Sequence, residues 1–192
     1  MHQNFIIYKP YGYLSQFQSN DSKQRRKKFL GELYNFPEGT MAVGRLDEKS
    51  EGLLLLTTDG KLSDHVNSSN VEKEYLALLD GAIDFESIEM LRNGVLIGIN
   101  GEKYKTKPCE VRQLERDPSL PERSKKIRDS RHGPVTWISI TLKEGKFRQV
   151  RKMTSAVGFP TLRLVRVRIG KYRLSAMGVG EVLALDAFGL DF

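Results

Sequence analysis

Cysteine is almost absent from this chain. Cys109 stands alone among 192 residues, so no internal disulfide is available and packing must hold the fold. Its expected place is as a small buried or half-buried side chain. Histidine is scarce as well: His2, His65 and His132 are scattered and never paired at ligand spacing, and no zinc or iron site is expected. Apolar runs are short. None exceeds five residues, against the ~20 that a spanning helix needs. No basic lead followed by an apolar core and a small-residue cleavage site opens the chain. A cytoplasmic protein with no membrane contact is expected. Internal repeats and low-complexity tracts are also missing.

Acidic residues are missing from one stretch altogether. Residues 145–173 contain nine basic side chains (Lys146, Arg148, Arg151, Lys152, Arg163, Arg166, Arg168, Lys171, Arg173) and no carboxylate, whereas the remainder carries 22 basic against 24 acidic. The whole excess of +7 therefore sits in one segment. A solvated face usually mixes signs, so a pure run favours a polyanion, with nucleic acid first. An acidic membrane surface fits less well, because no lipid-inserting amphipathic stretch with exposed Trp or Phe accompanies the charges. The rest of the composition, 39% hydrophobic and 29% charged, is that of a chain able to close one core or two small lobes.

Local patterns predict a mixture of strands and helices. Residues 4–9 read as a strand stopped by Pro10, and 23–34 as a short helix rich in Lys23, Arg25, Arg26, Lys27 and Lys28. Residues 41–44 and 53–57 read as buried strands, the second ending at the turn signal Asp59-Gly60. A strand at 72–79 is followed by a helix at 84–92, with Asp84 as N-cap, Ile88 and Leu91 inward and Gly94 past its end. Asn100-Gly101 predicts a hairpin between strands at 95–99 and 105–114. Residues 115–134, with three prolines, read as a long exposed loop able to close over a substrate. A half-buried strand at 135–142, a helix at about 146–157 and strands at 162–169 and 181–185 complete the set. Hairpins outnumber β-α-β units, which predicts an α+β domain with a mixed, mostly antiparallel central sheet and flanking helices.

Between two apolar strands lies Gly44-Arg45-Leu46-Asp47-Glu48-Lys49-Ser50-Glu51-Gly52, where polar residues sit at the edge of a rigid sheet. By position alone Asp47 is as compatible with a loop cap as with a catalytic carboxylate. The predicted helix at 146–157 adds a second element. Phe147, Val150, Thr154 and Val157 form one apolar face, and Arg148, Arg151 and Lys152 a cationic one. An arginine from that face beside Asp47 would hold the carboxylate ionised against burial.

Three segments then resemble a known family. GRLDEKSEGLLLLTTDG at 44–60, EKEYLALLDG at 72–81, and LKEGKFRQVRKM with VGFPTLRLVRVRIG within 142–170 are similar, in order and spacing, to the motifs of bacterial rRNA pseudouridine synthases of the RsuA type. The resemblance covers nearly the whole chain. It implies the pseudouridine synthase fold with an active-site cleft, and an isomerase that converts uridine to pseudouridine in rRNA without cofactor or metal. Many members begin with a small RNA-binding S4 domain. Here the first strand starts at Asn4, so a single catalytic domain over 1–192 is expected. Within the family this points to the S4-less members acting on 23S rRNA, as do the Lys9-Pro10-Tyr11 start with Gln16-Phe17 and the basic loop before Trp137.

By the same resemblance Asp47 matches the nucleophilic aspartate, Tyr75 the tyrosine stacked on the target base, and Arg151 the arginine paired with the aspartate. Leu164 matches an apolar residue of the base pocket. Arg45 matches the side chain that fills the gap left by the flipped base, while Arg148 and Lys152 are expected to contact RNA. Bland alternatives exist for Tyr75 as a strand aromatic, Leu164 as plain core and Arg45 as a phosphate contact. A monomer is expected. The competing functions are a synthase acting on 16S rRNA or another structured RNA, a non-catalytic rRNA-binding or assembly protein, and a glycosidase using Asp47 with Glu51. The glycosidase reading accounts neither for the cationic segment nor for the single tryptophan, Trp137.

Overall fold

The structure, a computed structural model, describes residues 2–24, 26–68, 70–128, 130–186 and 188. Its elements in chain order are β1 (Asn4–Lys9), β2 (Tyr13–Leu14), β3 (Lys28–Phe29), β4 (Met41–Val43), β5 (Glu51–Thr57), α1 (Gly60–Ser68), β6 (Lys73–Asp80), α2 (Phe85–Arg92), β7 (Leu96–Ile99) and β8 (Glu102–Lys105). These are followed by β9 (Glu110–Gln113), β10 (Val135–Leu142), α3 (Gln149–Ala156), β11 (Thr161–Ile169), β12 (Tyr172–Arg173) and β13 (Val182–Leu185). Helices and strands mix without a regular β-α-β alternation, the α+β class that the hairpin signals predict. No helix among the described residues is long and apolar enough to cross a membrane. The chain divides into two compact units: Met1–Val71 with Pro121–Ser124 and Arg166–Phe192, and Glu72–Leu120 with Lys125–Val165.

In the first unit β5 is the organising strand. Its run of leucines is buried along its whole length, as expected of a strand covered on both faces. β1 pairs with it antiparallel from Asn4 opposite Thr57 to Lys9 opposite Gly52, and β4 pairs antiparallel with residues 55–57. β13 adds to the other edge of β1. Phe5, Ile7, Leu30, Leu54 and Leu56 form a core cluster, with Phe17 and Phe36 packed against it. In the second unit β10 is central, antiparallel to β6 on one side and β9 on the other. Ala77, Leu79, Ile88, Leu91, Ile138, Ile140 and Met153 belong to its core. Helix α2 starts where predicted: Asp84 accepts a hydrogen bond from the Ser87 N–H at 2.7 Å, with Ile88 and Leu91 buried.

Several expectations fail for identifiable reasons. Residues 23–34 do not form one helix. They contain single-turn 3-10 helices at Ser22–Gln24 and Leu30–Glu32, and β3 pairs parallel with β2. The Leu30 N–H donates to the Gln16 carbonyl at 3.1 Å and the Phe29 N–H to Glu32 Oε1 at 2.8 Å, so tertiary contacts override local helix propensity. Arg25, part of the small basic patch expected there, lies outside the described residues. Asp59-Gly60 is not a turn but the start of α1, because Asp59 Oδ1 accepts from the Lys61 N–H (3.0 Å) and Leu62 N–H (3.3 Å) as an N-cap. The strand expected at 105–114 splits into β8, which closes the Asn100-Gly101 hairpin with β7, and β9. β10 is buried from Thr136 onward rather than half-buried, apart from the half-buried Trp137, because it is a central strand. α3 begins at Gln149, not at 146, and Phe147 lies outside it.

The basic segment is also less exposed than its charge suggests. Arg163 and Arg166 retain only 7% and 2% of their accessible surface, so these two cations lie in the interior and cannot form a solvated phosphate-binding face.

Candidate active site

The segment 44–52 links β4 to β5 in the first unit and includes the first two residues of β5. Gly44 and Gly52 bound it with φ of 73° and 104°, in the left-handed region that a side chain would strain. Between them the Ser50 N–H donates to the Asp47 carbonyl at 3.0 Å, closing a turn. The preceding segment holds this loop in place. Ser15 Oγ donates to the Leu46 carbonyl (2.8 Å) and accepts from the Leu46 N–H (2.9 Å), both bonds buried. The Gly12 N–H donates to the Glu48 carbonyl at 2.8 Å. Asp47 is half-buried and Arg45 exposed. Lys27 pairs with Glu48 at 2.8 Å, an exposed contact of little energetic weight.

Beneath the loop lies a buried lysine. Lys9 ends β1 and donates from Nζ to the carbonyls of Pro10 (2.9 Å) and Tyr13 (2.7 Å). Burial pulls its pKa from 10.5 down to about 7. Glu51, Asp47 and Glu48 favour its charged form against that burial, and Arg166 adds to the lowering. A neutral amine still carries two N–H groups, enough for both carbonyls. Arg166 Nε donates to the Leu53 carbonyl at 2.8 Å, so the buried guanidinium braces the start of β5. Glu51, the second carboxylate of the glycosidase reading, is itself buried in β5. Residues 121–124 join this unit, where the Arg123 guanidinium lies 4.6 Å from the Tyr11 ring centroid.

The other expected residues belong to the second unit. Tyr75 stands on β6 opposite Ile140, half-buried against the core. Leu164 is buried within that core. Arg151 is half-buried, and its Nη1 donates to the Thr161 carbonyl at 3.1 Å. Arg148, Arg151 and Lys152 line one open groove of about 470 Å³ together with Gly98 and Ser155. Lys152 Nζ donates to the Gly98 carbonyl at 2.6 Å, tying α3 to the hairpin.

One carboxylate organises the turn before α3. Glu144 accepts from the Tyr104 hydroxyl (2.6 Å), the Lys107 N–H (2.9 Å) and Gln149 Nε2 (2.6 Å). Burial alone would raise its pKa, but those bonds and the Lys107 charge hold it below the ordinary carboxylate range. The long loop before β10 is pinned in the same unit. Arg128 pairs with Asp80 and donates to the carbonyls of Gly133 and Pro134, each at 3.1 Å. Cys109 is half-buried, as expected, with Sγ donating to the Leu91 carbonyl at 3.3 Å.

The expected site residues thus form two groups: Arg45 and Asp47 on the braced loop of the first unit, and Tyr75, Arg148, Arg151, Lys152 and Leu164 in the second. Sequence reasoning missed Lys9, Ser15 and Arg166 as supports. A lysine ending the apolar strand NFIIYK was a signal for the first; Ser15 carried none.

Known proteins resemble this chain over most of its length. A family model described as RNA pseudouridylate synthase matches residues 3–156. A relative from Xanthomonas axonopodis pv. citri, named ribosomal large subunit pseudouridine synthase E, is 42% identical over 90% of this chain and 88% of its own length. A Bacillus subtilis relative, named ribosomal large subunit pseudouridine synthase B, is 30% identical over 94% of this chain and 67% of its own. A crystal structure of a pseudouridylate synthase superposes with a TM-score of 0.76 at 27% identity, covering 96% of this chain and 70% of that one. The chain therefore belongs to the RNA pseudouridylate synthase family. Its chemistry is that of an isomerase acting on RNA.

Proposed function

We propose that this enzyme converts one uridine of 23S rRNA in the large ribosomal subunit to pseudouridine, with Asp47 as its nucleophile. The observation that carries the reading is the loop 44–52. Its carboxylate stands half-buried between two positive-φ glycines, on a backbone held by Ser15 and Gly12 and near the Lys9 amine. The naming of close relatives as large-subunit synthases supports the choice of rRNA.

The reaction breaks the N1–C1′ bond, turns the base and forms C5–C1′; C5 loses a proton and N1 gains one. The product is an isomer, so no cofactor is consumed. Attack at C1′, attack at C6 and assistance of a glycal intermediate all require an ionised carboxylate at a fixed point. Arg151 is assigned as the aspartate's partner arginine. Taking the uridine out of its stack costs a few kcal/mol, which base stacking and backbone contacts must offset. Tyr75 supplies the stacking, Leu164 the apolar wall, Arg45 fills the vacated stack, and Arg148 and Lys152 hold phosphates. Residues 1–192 act as one catalytic domain.

Tritium release from [5-³H]uridine in a 23S rRNA transcript tests this directly. Asp47→Asn is expected to lower turnover on the order of 10⁴-fold or more and leave RNA affinity within about twofold, because a phosphate-facing surface loses nothing. Turnover surviving in Asp47→Asn would remove the aspartate from the mechanism. Mapping pseudouridines in cells with and without the gene tests the substrate: loss of a 23S site supports it, and loss only in 16S rRNA or tRNA overturns it.

A further inference from the structure

We infer that Phe147 is a stacking platform for an unpaired nucleotide of the substrate RNA, flanked by phosphate contacts from Lys146, Arg148 and Lys152. The inference extends the cationic-groove reading above and rests on it. A helix starting at residue 146 would turn this ring inward with Val150 and Thr154. Instead Arg148 adopts a left-handed backbone (φ 53°, ψ 35°), the helix starts one residue later, and Phe147 keeps 67% of its surface exposed.

The turn that presents the ring is firmly built. The Lys146 N–H donates to Gln149 Oε1 at 2.9 Å, and Gln149 Nε2 donates to Glu144, the carboxylate that also binds Tyr104 and the Lys107 backbone. The Lys146 ammonium lies 4.9 Å from the Tyr104 ring centroid. A large apolar side chain is thus held in solvent by a rigid support, at the cost of the burial it would otherwise gain.

Charge selects the occupant. The Lys152 ammonium lies 5.2 Å from the Phe147 ring centroid, and the chain neighbours of the ring are both cations. A second exposed phenylalanine makes the contrast. Phe85, 73% exposed, opens α2 between Asp84 and Glu86, where a phosphate backbone is repelled. Aromatic rings beside phosphate-binding cations are how proteins hold single-stranded nucleic acid, since every base has a π-face. The ring and groove therefore fit RNA that is already unpaired next to the target, and a target beside unpaired nucleotides is easier to flip.

The test uses the full chain and a 23S rRNA transcript, with kcat and KM read by tritium release. Phe147→Ala and Phe147→Leu are expected to raise KM roughly tenfold with kcat within about twofold, the signature of lost uniform binding. Phe147→Trp is expected to restore KM, and its added indole emission should be quenched by the transcript beyond any change seen with Trp137 alone. Phe85→Ala is expected to behave as wild type. An unchanged KM in Phe147→Ala, a wild-type KM in Phe147→Leu, a loss confined to kcat, or no quenching in Phe147→Trp each overturns the inference. So does Phe147-dependent sedimentation with phosphatidylglycerol vesicles at unchanged KM, which would assign the ring to a lipid surface. If wild type releases no tritium from the 23S transcript, the substrate reading fails, while quenching of Phe147→Trp by the same transcript still reports on stacking.

Discussion

The loop 44–52 of the first unit, held by a segment to which Lys9 is bonded, and the turn 144–149 of the second, bonded to Glu144, each depend on one ionisable side chain, but in opposite ways. Lys9 is fully buried, its charge disfavoured by burial, and it fixes carbonyls beneath a carboxylate. Glu144 is only half-buried and is kept charged by its donors while it presents cations and an aromatic ring to water. The first arrangement removes polar groups from solvent to fix an acid in place. The second leaves its cations hydrated, so the RNA binding proposed for it is expected to be sensitive to salt. On the proposed function, chemistry and grip thus rest on different kinds of support.

After Asp47→Asn, the change expected to separate the two regions most is Lys9→Met. It leaves the Pro10 and Tyr13 carbonyls without their donor, and a shift of about 1 Å in the loop would cost on the order of 100-fold in kcat with RNA affinity nearly unchanged. It also carries a pH signature. Because the folded pKa of about 7 lies below the ordinary 10.5, the unfolded chain binds more protons between those values, and wild-type stability should rise with pH across that window. Urea midpoints of wild type should climb relative to Lys9→Met from pH 7 towards 10. Parallel curves would mean that the buried amine does not titrate there.

Ser15→Ala is a milder version of the same disturbance. It leaves both the N–H and the carbonyl of Leu46 without this partner, at about 1–3 kcal/mol, and thermal or urea denaturation should detect that together with a smaller drop in kcat. An unaltered kcat would show that the loop needs less support than its hydrogen bonds imply. The smallest effect is expected from Arg148→Ala combined with Lys152→Ala. Each lost phosphate contact should flatten the log–log salt dependence of RNA binding by about 0.7, with kcat on saturating RNA preserved. A kcat loss without a change in salt slope would move these cations from grip to chemistry.

How far the sequence could be read differs between elements. The spans of β1, α2 and β10 were legible because a proline stop, an Asp N-cap with a glycine past the helix end, and apolar alternation act over a few residues, although alternation misjudged the burial of β10. The loop around Asp47 was legible through its place between two apolar strands and through motif order. Helix α1 was hidden because Asp-Gly serves equally as a turn and as a cap followed by the first helical residue. Phe147 was misplaced because spacing alone assumes helical φ and ψ, whereas Arg148 does not adopt them.

By itself the sequence determined most of the strands and helix α2, the α+β class, the family motifs and the concentration of positive charge, all of which rest on local spacing and composition. Tertiary structure decided which charges stay in water. Arg166 is buried against the Leu53 carbonyl 113 positions away, and Ser15 meets Leu46 across 31 positions. A polar side chain can enter the interior only where distant backbone groups meet it, and that encounter depends on how the strands pair rather than on any neighbouring residue.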